Sequence, residues 1–177
     1  ERAHHPLSAQ FAAHTVERRY LALVWRPPES PRGTLSTHYG RHPNHRIKFS
    51  GQGRGGKRAT THWRVLEAFG PVGLLELKLE TGRTHQIRVH MSEAGSPLLA
   101  DSLYGVKRRL DTDPILKLLG WELGLKRHAL HAQSLAFTHP ITGQALTFES
   151  PLPADMADCL TALHSAREAY IASLSDH

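Results

Sequence analysis

The segment LLELKLETGRTHQIRVHM, residues 74–91, changes its hydrophobic period in the middle. In its first half Leu75, Leu77 and Leu79 alternate with charged residues, which is typical of a strand with one buried face. From Thr84 onward apolar residues recur at helical spacing instead. The segment therefore predicts a strand that leads directly into a short helix.

The junction between the two predicted elements carries a basic cluster formed by Arg83, His85 and Arg88. The start of a helix adds free backbone N–H groups and the positive end of the helix dipole to these side chains. This combination favours the binding of an anion. A solvated basic helix start without a ligand is the alternative that spacing alone leaves open.

Outward from this segment, the pattern is one of strands with a few helices. We predict helices at residues 7–18 and 84–94 and after residue 153, and strands at residues 19–25, 34–39, 45–49, 58–69, 74–81, 128–137 and 145–149. A hairpin turn is predicted at residues 70–73, and a loop with one helical turn at residues 106–127. Because no βαβ repetition occurs, the fold class is α+β with mostly antiparallel strands.

The composition favours a polyanionic partner. The chain has 177 residues, which suits one domain, and its formal net charge of +6 allows Lys and Arg to replace the counterions of phosphates. It has no apolar run long enough to span a bilayer, no basic-then-apolar leader at its start, and a single cysteine, Cys159. We therefore expect a cytoplasmic protein without a membrane partner.

The 14 histidines do not predict a metal site, because they are scattered singly and match no zinc-binding spacing. A metal-dependent nuclease or deaminase is therefore disfavoured. His128 and His131 are three residues apart, so a strand places them on opposite faces and joint metal binding is not expected. Structural roles are the simpler interpretation for both.

The glycine-rich segment GQGRGGKR, residues 51–58, comes close to a P-loop pattern. It fails because Arg58 occupies the position of the Mg-binding Ser or Thr, and because a strand pattern follows where a helix is required. Nucleotide hydrolysis is therefore not predicted. The segment reads instead as a flexible loop whose Arg54, Lys57 and Arg58 contact phosphate.

Tyr20 lies within an apolar strand, RYLALVW. Most such tyrosines are core residues whose hydroxyl finds a partner at the edge. Pattern alone therefore favours a structural role over a functional one.

Residues 79–105, LETGRTHQIRVHMSEAGSPLLADSLYG, resemble the third sequence motif of the RluA family of RNA pseudouridine synthases. Further family-like segments occur in the family order, namely RRYLALV at 18–24, GRHP at 40–43, GKRATTHWRVLE at 56–67 and a long segment at 127–156. The resemblance implies the pseudouridine synthase fold, a mixed and mainly antiparallel sheet flanked by helices and loops with a basic RNA-binding cleft. Residues 1–177 would then be the C-terminal part of a single catalytic domain.

The resemblance also implies a reaction without cofactor or metal. Family enzymes break the bond from ribose to N1 of a uracil in RNA, turn the base and rejoin it through C5, which requires a flipped-out nucleotide. By motif position Tyr20 resembles the active-site tyrosine that packs against the uracil, and Arg88 resembles the arginine that pairs with the catalytic aspartate. The basic residues expected to contact RNA are Arg41, Lys48, Arg54, Lys57, Arg58, Arg83 and His85.

The catalytic aspartate itself is not evident in this chain. The family carries it in a motif close to H-R-L-D-x-x-T-S-G before the tyrosine segment, and no such string occurs here. Asp101 belongs to ADSLYG, a different family segment, and the other five aspartates lack the flanking residues. We expect the nucleophile to lie upstream of residue 1.

Two functions remain open at this point. The first is an RNA pseudouridine synthase acting on structured RNA, with ribosomal RNA favoured over transfer RNA and no obligate protein partner expected. Under this hypothesis the 177-residue chain alone binds RNA weakly and forms no pseudouridine. The second is a non-catalytic RNA-binding module that has lost the nucleophile.

Overall fold

A computed structural model describes residues 3–45, 47–52, 56–105 and 124–175. The elements are α1 (His4–Ala12), β1 (Glu17–Trp25), β2 (Arg32–Arg41), β3 (Phe49–Ser50), β4 (Lys57–Phe69), β5 (Val72–Leu79), α2 (Gln86–Glu93), β6 (Leu130–Thr138), β7 (Ala145–Glu149) and α3 (Ala154–Ser175). The seven strands form one sheet in the order β3-β2-β4-β5-β1-β6-β7, and every neighbouring pair is antiparallel. The predicted α+β class with a mainly antiparallel sheet is confirmed.

One face of the sheet packs against α2. Cross-strand register places Tyr20 opposite Leu77 and Ala22 opposite Leu75, and such partners share a face. Ala22, Leu75 and Leu77 are fully buried in a cluster that includes Ile87 and Met91 of α2. The alternation read from residues 74–81 therefore identified the correct buried face.

The opposite face of the sheet is covered at one end by α3. Leu23, Trp25 and Val72 lie in a buried cluster with Met156 and Leu163 of that helix. The central strands therefore lie between two helices, α2 on one face and α3 on the other. Burying each aliphatic side chain contributes roughly 1.5–3 kcal/mol to the stability of this arrangement. Beside this cluster the same face carries charged residues.

The prediction of a strand over residues 45–49 was wrong for the part that the structure describes. Only Phe49 and Ser50 form β3, and they pair with the end of β2. The N–H of Lys48 donates to the carbonyl of His45, which makes a tight turn in place of an extended strand. Of the loop predicted at 106–127, residues 106–123 lie outside the described part.

The first predicted helix is shorter than expected. It ends at Ala12, and His14 follows with a φ of 56°, a left-handed conformation that α-helices do not contain. The predicted hairpin between β4 and β5 is present, but its turn is Gly70 and Pro71 alone and not residues 70–73, because Phe69 pairs with Val72. Gly70 has a φ of 63°, which suits a two-residue turn. Among the described helices, none combines the length and the apolar character needed to cross a membrane.

Candidate active site

A cavity of about 330 Å³ lies where β1, β5 and β6 meet the start of α2. Its apolar walls come from Leu79, Ile87 and Leu130, and its other lining residues are Tyr20, Arg83, His85, Gln86, Arg88 and His128. An apolar chamber with a few convergent polar groups is the usual form of a ligand site. Tyr20, Arg83, His85 and Arg88, all singled out from the sequence, thus share one cavity.

Tyr20 reaches the cavity because of its position on β1. It pairs with Leu77 on β5 and with Ala132 on β6, and the register with β6 shifts between Arg19 and Tyr20. The side chain is half-buried and packs against the apolar cluster beneath α2. Its ring is therefore both a core contact and part of the cavity wall.

Arg88 forms a two-pronged ion pair with Asp101. Its Nε donates to Oδ2 and its Nη2 donates to Oδ1, each at 2.8 Å. The side chain of Arg88 is 12% exposed and that of Asp101 is 1% exposed. The N–H groups of Leu103 and Tyr104 also donate to Oδ1. Asp101 is therefore a buried, fully engaged carboxylate that holds Arg88 in place.

The protonation of this pair follows from its contacts. Burial alone would raise the pKa of Asp101, but the hydrogen bonds from Arg88 and from the N–H groups of Tyr104 and Leu103 outweigh it and lower the pKa. The hydrogen bond to Asp101 raises the pKa of Arg88, against the effect of burial. Both groups are charged at neutral pH, and Asp101 is unsuited to act as a nucleophile because it is buried behind Arg88.

Gln86 anchors the junction between β5 and α2. Its Nε2 donates to the carbonyl of Thr60 and to the hydroxyl of Thr61, both at 3.0 Å. Its Oε1 accepts from the hydroxyl of Thr81 at 2.8 Å and from the N–H of Arg83 at 3.0 Å. The side chain thus ties the helix start to β4 and to the loop that presents Arg83. Sequence reasoning missed this residue because its partners on β4 are distant in the chain.

His85 begins α2 in a left-handed conformation, with a φ of 58°. Its Nδ1 lies 3.1 Å from the Tyr104 hydroxyl, which also accepts a hydrogen bond from the N–H of Phe49 at 3.0 Å. Burial, followed by the charge of Arg88, lowers the pKa of His85. His85 is therefore mainly neutral at pH 7, so it can contribute a hydrogen bond to an anion but not a full positive charge.

His128 lines the cavity although the sequence favoured a structural role for it. Burial and then the charge of Arg88 lower its pKa. His131 pairs with Leu21, on the sheet face opposite Tyr20, and its Nε2 lies 3.0 Å from the carbonyl of Ser150. The expected separation of the two histidines is confirmed. Only the folded arrangement shows that His128 faces the cavity, since no local pattern marks it.

The remaining predicted RNA contacts lie at varying distances from the cavity. Lys48 places its Nζ 5.9 Å from the Tyr104 ring centroid, and Arg41 places its Cζ 4.6 Å from that of Phe49. Both aromatic rings contact the ring of His85. These two cations therefore lie near His85 without lining the cavity themselves.

Two further predicted residues lie on β4. The carbonyl of Arg58 accepts from Arg83 at 3.3 Å, so its backbone touches the site while its side chain is exposed. Lys57 is exposed at the start of β4, opposite Tyr39, and does not line the cavity. Arg54 lies outside the described residues.

Residues 1–93 match the family described as RNA pseudouridylate synthase. The chain is 46% identical over 159 residues to ribosomal large subunit pseudouridine synthase D of Nitrosomonas europaea, with 90% of this chain and 44% of that protein aligned. It is 43% identical over 163 residues to an uncharacterized RNA pseudouridine synthase of Mycobacterium tuberculosis, with 92% and 50% aligned. The chain spans about half the length of such relatives.

Solved structures with the same fold include human RNA pseudouridylate synthase domain containing 4. It has a TM-score of 0.69 and 26% identity to this chain, over 90% of this chain and 67% of the human one. Human RNA pseudouridylate synthase domain containing 1 has a TM-score of 0.63 and 28% identity, over 90% and 70%. The sheet and its helices are therefore those of a pseudouridylate synthase domain.

Proposed function

Because this chain belongs to the RNA pseudouridylate synthase family, we propose that the protein isomerises specific uridines in structured RNA to pseudouridine, with Tyr20 and Arg88 in its active site. The observation that carries this proposal is the single cavity in which Tyr20 and Arg88 meet Arg83 and His85. A cavity whose wall combines apolar side chains with two arginines suits a flipped base attached to a phosphate backbone.

The reaction is an exchange of one bond for another within the same nucleotide. The bond from the ribose C1′ to N1 breaks, a bond from C1′ to C5 forms, C5 loses its proton and N1 gains one. No oxidant, cofactor or metal is needed for this balance. Tyr20 packs its ring against the uracil, and Leu79 and Leu130 complete an apolar surface that excludes water around the base.

Arg88 would orient the catalytic aspartate. Asp101 takes its Nε and one N–H of Nη2, while Nη1 makes no hydrogen bond within the described part of the chain. An aspartate that enters the cavity can therefore pair with the free edge of the guanidinium while Asp101 holds the other edge. A charge-assisted pair of this kind keeps the incoming carboxylate ionised.

That aspartate comes from a segment upstream of residue 1, and residues 1–177 form the C-terminal part of a single catalytic domain. No carboxylate lines the cavity among the described residues. Asp101 is occupied by Arg88, and Asp155 pairs with Arg127 at 2.9 Å. The length of the relatives, about twice that of this chain, supports an upstream contribution.

The basic surface around the cavity would hold the RNA backbone. It consists of Arg41, Lys48, Lys57, Arg58, Arg83 and His85, with Arg54 added from the sequence. Ribosomal RNA is the favoured substrate over transfer RNA, which is supported by relatives named ribosomal large subunit pseudouridine synthase D. The cytoplasm is the expected compartment.

The test is product formation by the full-length protein. Unmodified ribosomal and transfer RNA labelled with tritium at C5 of uridine are incubated with it, and release of tritium to water is measured. We expect release from ribosomal RNA and much less from transfer RNA. RNA binding without release by a full-length protein that carries the aspartate would contradict the proposal and favour a non-catalytic binding module.

A further inference from the structure

A second cavity, of about 350 Å³, adjoins the proposed active site. It is lined in part by His14, Arg18, Thr81, Gly82 and Arg83. Arg83 also lines the first cavity, so the two cavities are neighbours that share this residue. Neither His14 nor Arg18 has a role in the chemistry described above.

The guanidinium of Arg18 makes few hydrogen bonds in the described part of the chain. Its Nε is buried and has no hydrogen-bond partner in the described part of the chain. Its Nη2 reaches the carbonyl of Glu80 only at 3.4 Å, which is longer than a normal N–H···O bond. A buried N–H without an acceptor costs about 1–3 kcal/mol, so the guanidinium is incompletely paired within the described part of the chain.

The backbone of the β5–α2 junction makes room for this side chain. A Cβ added to Gly82 would lie 2.4 Å from Nη1 of Arg18, so the guanidinium packs directly against Gly82. On its other side the Cζ atom lies 5.5 Å from the ring centroid of Phe11. Arg18 is therefore held between α1 and the junction, at the wall of the cavity.

No carboxylate neutralises this cavity. Its described lining contains no Asp or Glu. The two glutamates nearest in sequence are engaged elsewhere, since Glu17 accepts from Lys78 at 3.1 Å and Glu80 pairs with His62 at 2.7 Å. Two arginines thus line one cavity whose described lining holds no carboxylate.

We infer that this second cavity binds a phosphodiester of the RNA strand next to the target nucleotide, through Arg18 and Arg83. The inference rests on the proposed function, because the strand that delivers a base to the first cavity brings its flanking phosphates past Arg83. The planar fork of arginine matches the oxygens of a phosphodiester, which is the anion that an RNA strand offers. The occupant is part of the strand and not a free anion.

The first experiment measures binding of the full-length protein to a synthetic RNA hairpin whose loop carries the only uridine. Fluorescence anisotropy is recorded over a range of salt concentrations. Arg18→Gln is expected to weaken binding about tenfold at low salt and to reduce the slope of log K against log salt by about one, as loss of a phosphate contact does. Arg18→Lys keeps the charge and should retain most of the slope.

The matched control is Arg64→Gln. Arg64 lies on β4, 59% exposed, and pairs with Glu76 on the sheet face opposite Tyr20. Its replacement should leave the salt slope unchanged. Equal losses for Arg18→Gln and Arg64→Gln would overturn the inference, because they would reflect net charge and not a site.

The second experiment replaces one linkage at a time by a neutral methylphosphonate. The wild type should lose affinity at one linkage beside the uridine, and Arg18→Gln should lose nothing further at that linkage. Additive losses would contradict a direct contact. Tritium release from ribosomal RNA is measured in parallel. If it occurs while Arg18→Gln binds like the wild type, only the second cavity is wrongly assigned, whereas its absence refutes the proposed function and this inference with it.

Discussion

At the scale of single residues, Arg88 joins the cavity to the buried interior. One edge of its guanidinium is held by Asp101 at two points, and Tyr104 lies beneath it with its ring centroid 5.1 Å from Cζ. A planar group held in this way has little freedom to rotate. Its orientation, and not only its charge, is therefore available to catalysis.

Arg88→Lys in the full-length protein separates charge from orientation. Lysine keeps the positive charge but offers no fork, so it cannot pair with Asp101 and an incoming carboxylate in fixed geometry. We expect kcat to fall about 100-fold with little change in KM, as when a preorganised donor is removed. Tritium release under saturating and limiting RNA gives both constants.

A matched control for this change is Arg167→Lys, which alters a half-buried pair with Glu67 between α3 and β4. Neither residue lines the cavity. The control should retain wild-type kcat. An Arg88→Lys variant with unchanged kcat would show that Arg88 only supports the fold.

Asp101→Asn tests the other half of the pair. Removing one partner of a buried pair leaves the charge of Arg88 uncompensated, which destabilises the fold by roughly 3–5 kcal/mol. Urea unfolding of the wild type and the variant at pH 7 measures the difference. A loss below about 1 kcal/mol would contradict the assignment of Asp101 as the partner that holds Arg88.

The stability difference between the wild type and Asp101→Asn should also depend on pH. The pKa of Asp101 is lowered in the folded state, so its stabilising effect is fully present above its unfolded pKa of about 4 and is lost as the pH falls through the lower folded value. Asparagine does not titrate. The difference in unfolding free energy between wild type and variant should therefore be constant from pH 7 to about pH 5 and shrink below about pH 4. A difference that grows on acidification would refute this account.

The sequence predicted part of this residue-level picture. The family resemblance implies that Arg88 pairs with the catalytic aspartate, which stays a prediction, and the sequence does not favour Asp101 as that nucleophile. The sequence did not reveal that Asp101 is itself bound to Arg88. That contact depends on how the segment after α2 folds back, which no local spacing encodes.

At the scale of elements, the junction between β5 and α2 is the feature that forms the site. It presents Arg83, His85 and Arg88 within six residues, and Gln86 makes four hydrogen bonds, two to β4 and two to Thr81 and Arg83 of the junction itself. The amide of Gln86 is suited to this because it both donates and accepts.

Gln86→Leu keeps the volume of this side chain but removes all four hydrogen bonds. The carbonyl of Thr60 and the hydroxyl of Thr61 each lose a buried hydrogen bond, the N–H of Arg83 loses a half-buried one, and each such bond contributes about 0.5–1.5 kcal/mol. We expect a loss of stability of about 3 kcal/mol, measured by urea unfolding, and weaker RNA binding as the loop around Arg83 loosens.

Gln144→Leu is the control for this change, because Gln144 is exposed in the turn between β6 and β7. It should shift the unfolding free energy by less than about 0.5 kcal/mol. Equal effects of the two substitutions would mean that the Gln86 network does not anchor the junction.

Elements with a strong period were predictable, and those defined by pairing partners were not. The alternation along β5 reflects one buried and one charged face, so the sequence pattern alone predicts the strand. By contrast β3 is only two residues long and exists because it pairs with the end of β2. The segment HRIKF, residues 45–49, has a composition typical of a strand. The hydrogen bond from the N–H of Lys48 to the carbonyl of His45 forms a turn there instead.

At the scale of the whole molecule, the net charge of +6 predicts salt-sensitive RNA binding. Lys57 is exposed on β4 and lines neither cavity. Lys57→Gln in the full-length protein should therefore weaken RNA binding and reduce the salt slope by about one, with kcat unchanged. Titrations at several salt concentrations, together with tritium release at saturating RNA, check both parts. A lower kcat would place Lys57 closer to the chemistry than the structure does.

The central claim is that residues 1–177 supply a uridine-binding cavity with Tyr20 and Arg88, and that an upstream segment supplies the nucleophile. The most direct measurement compares tritium release from C5-labelled ribosomal RNA by the full-length protein and by the 177-residue chain, at equal concentrations and low salt. We expect the full-length protein to release tritium and the 177-residue chain to release none, even where that chain binds the RNA. Release by the 177-residue chain alone would contradict it, because the nucleophile would then lie within the residues present here.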